Sequence, residues 1–191
     1  MKRIIALAFT LVLTTALLAQ EAPKRFEIKS GSVTTVSTVT GKKTETVSYF
    51  DDYGNLQSSR AKTNVPGAGE IEVITVVREG KQYISIPSMN QVQELPVSGQ
   101  DAVNYLDLTD EVKAKYNIQE LGKEKIGDKD CTKYSLSIEQ MGMKASATTW
   151  VWKGFPIKSI MTVMGIEMKN EIVNIDENVP VDPSMFVIPG K

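Results

Sequence analysis

The sequence predicts a mostly β protein of the α+β kind, a single curved antiparallel sheet with one or two helices covering it. Three observations carry that expectation. Short stretches rich in Val, Ile, Thr and Tyr alternate apolar with polar residues along most of the chain. Glycine-bearing turn signals separate these stretches at steady intervals. The clearest helical signature is the single stretch "DLTDEVKAKYN".

Ahead of the first strand, "MKRIIALAFTLVLTTALLAQ" places Lys2 and Arg3 before an apolar run from Ile4 to Leu18, with the small Ala19 at its end. This is the pattern of a secretory signal peptide over residues 1–19, and the run is shorter than the roughly 20 residues of a membrane span. Cleavage after Ala19 would leave 20–191 as one exported domain, periplasmic or secreted, with no transmembrane segment.

In "RFEIKSG", Phe26 and Ile28 alternate with charge, as in a half-buried strand. "SVTTVSTVTG" is a β-branched run that ends at a glycine, and "KTETVSYFDDYGN" is a strand that breaks into an Asp/Gly/Asn turn. Residues 58–70, "SSRAKTNVPGAGE", read as a polar loop, and "IEVITVVREGKQYISIP" as a hairpin turning at "REGKQ". "SGQDAVNYL" reads as a further helical turn or a loop. In the helix that follows, Thr109 or Asp110 can cap the start, with acids in the first turn and lysines in the last. "NIQELGKEKIG", "DCTKYSLSIEQ", "KASATTWVWKG", "PIKSIMTVM" and "EMKNEIVNI" are then strands, and the proline-broken "VPVDPSMFVIPGK" is a turn with a short edge segment.

Composition excludes several function classes. Removing Lys2 and Arg3 leaves 20 basic residues against 23 acids, a net charge near −3 and no basis for nucleic-acid binding. The chain has no histidine, which removes Ser-His-Asp and Cys-His catalysis and every His-bearing metal site. Cys131 stands alone, so no internal disulfide forms, and a small buried hydrophobe is its ordinary role. The acid clusters "FDDYG", "DLTDE" and "GDKD" could suit carboxylate catalysis, but they fall in turns and at a helix start, where acids serve structure. "GDKD" also lacks the spaced oxygen ligands of a calcium loop. No enzyme activity, cofactor or metal is expected.

Both tryptophans stand in "TTWVWKGFPIKSIMTVMGIEM", with Met161, Met164 and Met168. Two-residue loops at Gly154-Phe155 and at Met164-Gly165 would put Trp150, Trp152, Ile157, Met161, Val163, Ile166, Met168 and Ile172 on one face, because side chains alternate along a strand. Lys158, Thr162, Glu167, Lys169 and Glu171 would share the other. An odd-length loop around "QMG" would add Tyr134, Leu136 and Ile138 to the tryptophan face, and a two-residue Met141-Gly142 loop would turn them away. The apolar face is either an ordinary core under the helix at 109–116 or the wall of a partly filled cavity, where methionine adapts to varied ligands.

The "TTWVWKGFPIKS" hairpin, the upstream "GKEKIGDKDCTKYSLSI" and the closing "VDPSMFVIPGK" together resemble the LolA-like superfamily, over roughly Glu27 to Pro189. The resemblance implies an unclosed β-barrel, helices at its mouth, and an apolar interior that receives acyl chains, as in periplasmic lipoprotein carriers and RseB-type envelope sensors. The carriers latch their lid with an arginine. Neither Arg60, read as loop, nor Arg78, at a hairpin turn, matches it.

Two functions follow as expectations. One is a non-catalytic carrier, chaperone or envelope sensor whose partner is an acyl chain or lipoprotein, with the eight residues above as cavity candidates. The other is an envelope protein-interaction module with a filled core that binds a protein partner through its rim.

Overall fold

The computed structural model describes residues 23–65, 69–97, 103–140 and 143–190. The signal-peptide reading of 1–19 therefore lies outside the described residues.

Eleven strands form one antiparallel sheet in the order β6-β5-β4-β3-β2-β1-β11-β10-β9-β8-β7. The first meander is β1 (Gly31–Val39), β2 (Lys42–Asp51), β3 (Leu56–Val65), β4 (Gly69–Arg78), β5 (Lys81–Ile86) and β6 (Gln91–Pro96). The second is β7 (Gln119–Ile126), β8 (Lys129–Gln140), β9 (Met143–Trp152), β10 (Phe155–Val163) and β11 (Ile166–Glu177). Pairing of β1 with β11 joins the two meanders, which leaves β6 and β7 as the free edges of an unclosed barrel. The chain between them therefore has to pass from one edge of the sheet to the other. That passage carries the helix α1 (Asp110–Tyr116).

The helix forms where its signals lie. Thr109 Oγ1 accepts from the Val112 amide at 3.3 Å, Asp110 and Glu111 occupy the first turn, and Lys113 and Lys115 the last. Its apolar side and the segment before it bury Val103, Tyr105, Tyr116 and Ile118 against Leu136 and Val151.

Three extra residues shift the strand registers: Val173 between Thr34 and Thr35 of the partner, Ile157 between Pro156 and Lys158, and Leu121 between Glu120 and Gly122. Such bulges bend a strand and increase its twist, which is what curls a sheet this wide. Strands stand about 4.8 Å apart, so the six steps from β5 to β10 would span roughly 29 Å if flat. Residues of both strands nevertheless line one cavity of about 300 Å³, so the sheet closes around it.

Several segments depart from the sequence expectations. Residues 23–30 form no strand, because their amides bond the turns at the end of the sheet instead of a neighbouring strand. Residues 58–65, expected as loop, belong to β3, where every position pairs with β4. The strand β6 was not foreseen, since "QVQELP" is short, and mostly exposed in the fold. The tail is not an edge strand. Its 3-10 turn Pro183–Phe186 and Ile188 lie across the outer face, where Ile188 packs with Ile74, Val76 and Tyr83, and Ser85 Oγ donates to the Pro189 carbonyl at 3.0 Å. Among the described residues, no helix is long and apolar enough to cross a membrane.

Candidate functional site

The register assigns each side chain to a face. Val33, Thr35 and Ile172 belong to the face that lines the cavity, and pairing extends that inner face through Ser37–Asn170 and Val39–Met168 to Met161, Ala147 and Leu136. Trp150 pairs with Lys133 on one side and Lys158 on the other, which places it on the outer face, and Trp152 alternates onto that face with it.

The eight candidates therefore do not share a face. The β9–β10 turn is Lys153-Gly154, one residue earlier than Gly154-Phe155, so Trp152 pairs with Phe155. The extra Ile157 then makes Trp150 meet Lys158. The Met164-Gly165 turn is where the sequence placed it, with Val163 opposite Ile166 and Met161 opposite Met168. Met161, Val163, Ile166, Met168 and Ile172 thus lie on the inner face, Trp150 and Trp152 on the outer one. Of the eight, Ile172 lines the cavity. Gln140 pairs with Met143, the two-residue alternative, which turns Tyr134 and Leu136 away from the tryptophans.

The outer tryptophans are held by charge. Trp150 Nε1 donates to Glu124 Oε2 at 2.9 Å, and Lys133 reaches the same carboxylate at 3.1 Å. The Trp150 hydrogen bond, with Lys133 beside it, holds the Glu124 carboxyl below its ordinary range. Lys133 and Lys158 stand over the Trp150 ring, and Lys129 and Lys153 over Trp152. Cys131 is buried beside them, and burial pushes its thiol up, as suits a small hydrophobe.

The acid clusters also serve structure. Asp51 accepts from the Asp52 amide at 2.7 Å, Asp110 starts the helix, and Asp128 pairs with Lys129 at a turn. Among the described residues, no group of three or more acidic or thiol side chains is placed to hold a metal ion.

The floor of the cavity is aromatic. Phe26 stacks on Phe155, and both meet Phe50 edge-on. Phe26 is brought there by a clamp: the amides of Arg25 and Phe26 donate to the Tyr53 carbonyl at 2.9 Å, and that of Glu27 to the Lys153 carbonyl at 3.1 Å. The N-terminal segment thus ties the β2–β3 turn to the β9–β10 turn and closes that end of the barrel.

Above the floor the walls differ. Val33, Ile172 and Pro156 form an apolar side, whereas Ser48, Gln57, Ser59, Thr75 and Gln82 form a polar one on β2 to β5. Val97, Val103 and Tyr105 of the edge-to-edge connection also line it. Arg25 Nη2 donates to the Val103 carbonyl at 3.5 Å, and Asn104 Nδ2 to the Lys24 carbonyl at 2.9 Å. Arg25, which sequence reasoning passed over for Arg60 and Arg78, is therefore the arginine that reaches the covering segment. Its position in "PKRFEIKS" gave no signal, because the contact spans 78 positions in the chain.

No family model matches the chain, and no curated protein matches it. Solved structures do. An uncharacterized conserved protein from Thermus thermophilus aligns over 85% of this chain and 87% of its own at a TM-score of 0.53 and 11% identity. LprF from Mycobacterium bovis aligns over 80% and 88% at 0.41 and 13%. MucB, solved in complex with MucA(peri), aligns over 87% of this chain but 55% of its own, at 0.48 and 12%. At these identities the likeness concerns fold alone. At that level the expected architecture is met: a curved antiparallel sheet left open between its two edges, with a helix on its inner face.

Proposed function

We propose that the chain is an exported, non-catalytic protein that takes the apolar part of a lipid or similar amphiphile into the cavity under its curved sheet, as a carrier, chaperone or envelope sensor. The observation that carries this reading is the cavity of about 300 Å³ between the Phe26–Phe50–Phe155 floor and the covering segment. That volume stands at the lower end of small-molecule sites, roughly 300–1,000 Å³, and suits one acyl tail better than a whole lipid.

Each methylene removed from water contributes about 0.8 kcal/mol, so a tail of about eight carbons gains roughly 6 kcal/mol before ordering costs. The polar wall on β2 to β5 can take the other end of the molecule. Entry requires movement of the cover, whose residues 103–118 are tied to the N-terminal segment through Arg25 and Asn104 and to β8 through Asn117, which donates to Ser137 Oγ at 2.9 Å. The signal-peptide pattern of residues 1–19 supports a periplasmic or secreted location.

Native mass spectrometry after incubation with medium- and long-chain fatty acids tests the reading. The parent and the outer-face variant Lys158→Ala should carry one bound chain. Thr35→Phe, which fills the cavity from β1, should carry none while keeping a cooperative melt. A parent that takes up no fatty acid or phospholipid would overturn the reading and favour an envelope interaction module that binds through its rim.

A further inference from the structure

We propose that the open end of the sheet docks on an anionic lipid bilayer, with Met164 and Ile166 entering the interface and Lys42 and Lys43 facing the headgroups. The inference rests on the cavity reading for its purpose but on separate residues for its argument.

Among the described residues, four two-residue turns of the form X-Gly have both residues at positive φ: Thr40-Gly41, Glu79-Gly80, Lys153-Gly154 and Met164-Gly165. Such turns favour Asn, Asp or Gly in the left-handed position. Thr, Glu and Lys at least keep a polar group in water there. Met164 does not, and at 74% exposure it is the most exposed large hydrophobic among the described residues. A local rule broken without a structural return marks a functional position.

Met164 is not isolated. Ile166, after the turn, is 50% exposed and pairs with Val163, while Met168 pairs with both Met161 and Val39, which is 37% exposed. These side chains occupy the inner face at the end of the barrel opposite the phenylalanine floor. Along β11, positions 166, 168, 170 and 172 step down that face to Ile172 on the cavity wall, roughly 20 Å away. The polar step is Asn170, which accepts from Ser37 Oγ at 2.7 Å.

The charge beside this tip is positive. Lys42 pairs across from Val39 and Lys43 from Thr38, both exposed, and neither has an ion-pair partner among the described residues. Lys169 and Glu167 neutralise each other at 3.1 Å, and the next acid, Glu45, lies opposite Val36 farther along β2. An apolar tip flanked by unpaired lysines, on the same sheet face as a cavity that suits an acyl tail, is complementary to an anionic bilayer, which supplies hydrocarbon, negative charge and cargo together.

The test places an environment-sensitive fluorophore at Met164→Cys and, separately, at Glu79→Cys at the opposite end. With vesicles of phosphatidylglycerol and phosphatidylcholine, the probe at 164 should shift to the blue and the probe at 79 should not. Adding Lys42→Ala and Lys43→Ala should weaken the response roughly thirtyfold. A response at both positions or at neither, or one equally strong with phosphatidylcholine alone, overturns the proposal. So does a shift at 164 that follows protein concentration without vesicles, which assigns the tip to a second copy. Fatty-acid uptake and docking by the parent protein separate the two readings: uptake without docking defeats this proposal alone, whereas docking without uptake defeats the cavity.

Discussion

The rings of Phe26 and Phe155 lie parallel, with 3.9 Å between centroids and 15° between planes. One belongs to a segment without secondary structure and the other begins β10, so the stack fastens the N-terminal segment to the end of the sheet. Phe155 is 2% exposed and also meets Phe50 at 5.2 Å. Phe155→Ala should therefore cost about 3–5 kcal/mol, measured as a fall in the urea midpoint at constant slope. Phe26→Ala, at a partly buried position, should cost less. It should instead speed hydrogen exchange at the Arg25, Phe26 and Glu27 amides, which depend on the ring to hold them to Tyr53 and Lys153.

Much of the fold was legible because its determinants are local. Thr109 caps a helix with its own hydroxyl, and Met164-Gly165 and Glu79-Gly80 turn because glycine takes the second left-handed position. The same X-Gly rule applied to Lys153-Gly154 would have found the turn that was placed one residue late. The bulge at Ile157 had no such signal, since an extra residue in a strand reads like any other. Together these two features decided the faces, and a one-residue slip moves every side chain across the sheet. Trp150 and Trp152 were misassigned for that reason, while Met161 and Met168 kept their partner. The cavity was illegible for another reason: Arg25, Gln82, Val103 and Phe155 meet only after the sheet has curled.

Gly154 and Gly165 provide a controlled comparison. Both take φ near +80°, at +85° and +80°, so alanine carries a similar backbone strain at each. A Cβ at Gly165 meets open space, but at Gly154 it would meet the Arg25 carbonyl. Gly165→Ala should cost about 1 kcal/mol and Gly154→Ala distinctly more, with loss of the N-terminal clamp. Equal midpoints in urea would show that the clamp contributes nothing.

The Glu124 carboxylate should make stability depend on pH in a defined direction. Its folded pKa lies below 4.5 because Trp150 Nε1 and Lys133 favour the charged form. The unfolded chain therefore binds that proton more readily, so the contribution is full at neutral pH and is lost as pH falls from about 4.5 through the folded value. Glu124→Gln should lower the melting temperature at pH 7 and converge with the parent in acid. A constant difference from pH 7 to pH 3 would mean that the hydrogen bond to Trp150 acts without regard to charge.

The C-terminal tail should act as a structural strap on the outer face. Ile188 is 5% exposed among Ile74, Val76 and Tyr83, whereas its neighbour Val187 is 59% exposed. Asp182 starts the strap by accepting from the Ser184 amide at 2.8 Å, a bond that also holds its carboxyl low. Ile188→Ala should then cost about 2–5 kcal/mol, and Val187→Ala less than about 0.5 kcal/mol. Uncovering Val76, which is 1% exposed, would leave an apolar patch on β4 and β5. The Ile188→Ala protein should for that reason bind a hydrophobic dye before it melts. If it keeps the parent's urea midpoint and binds no dye, the tail is an appendage and the sheet stands without it.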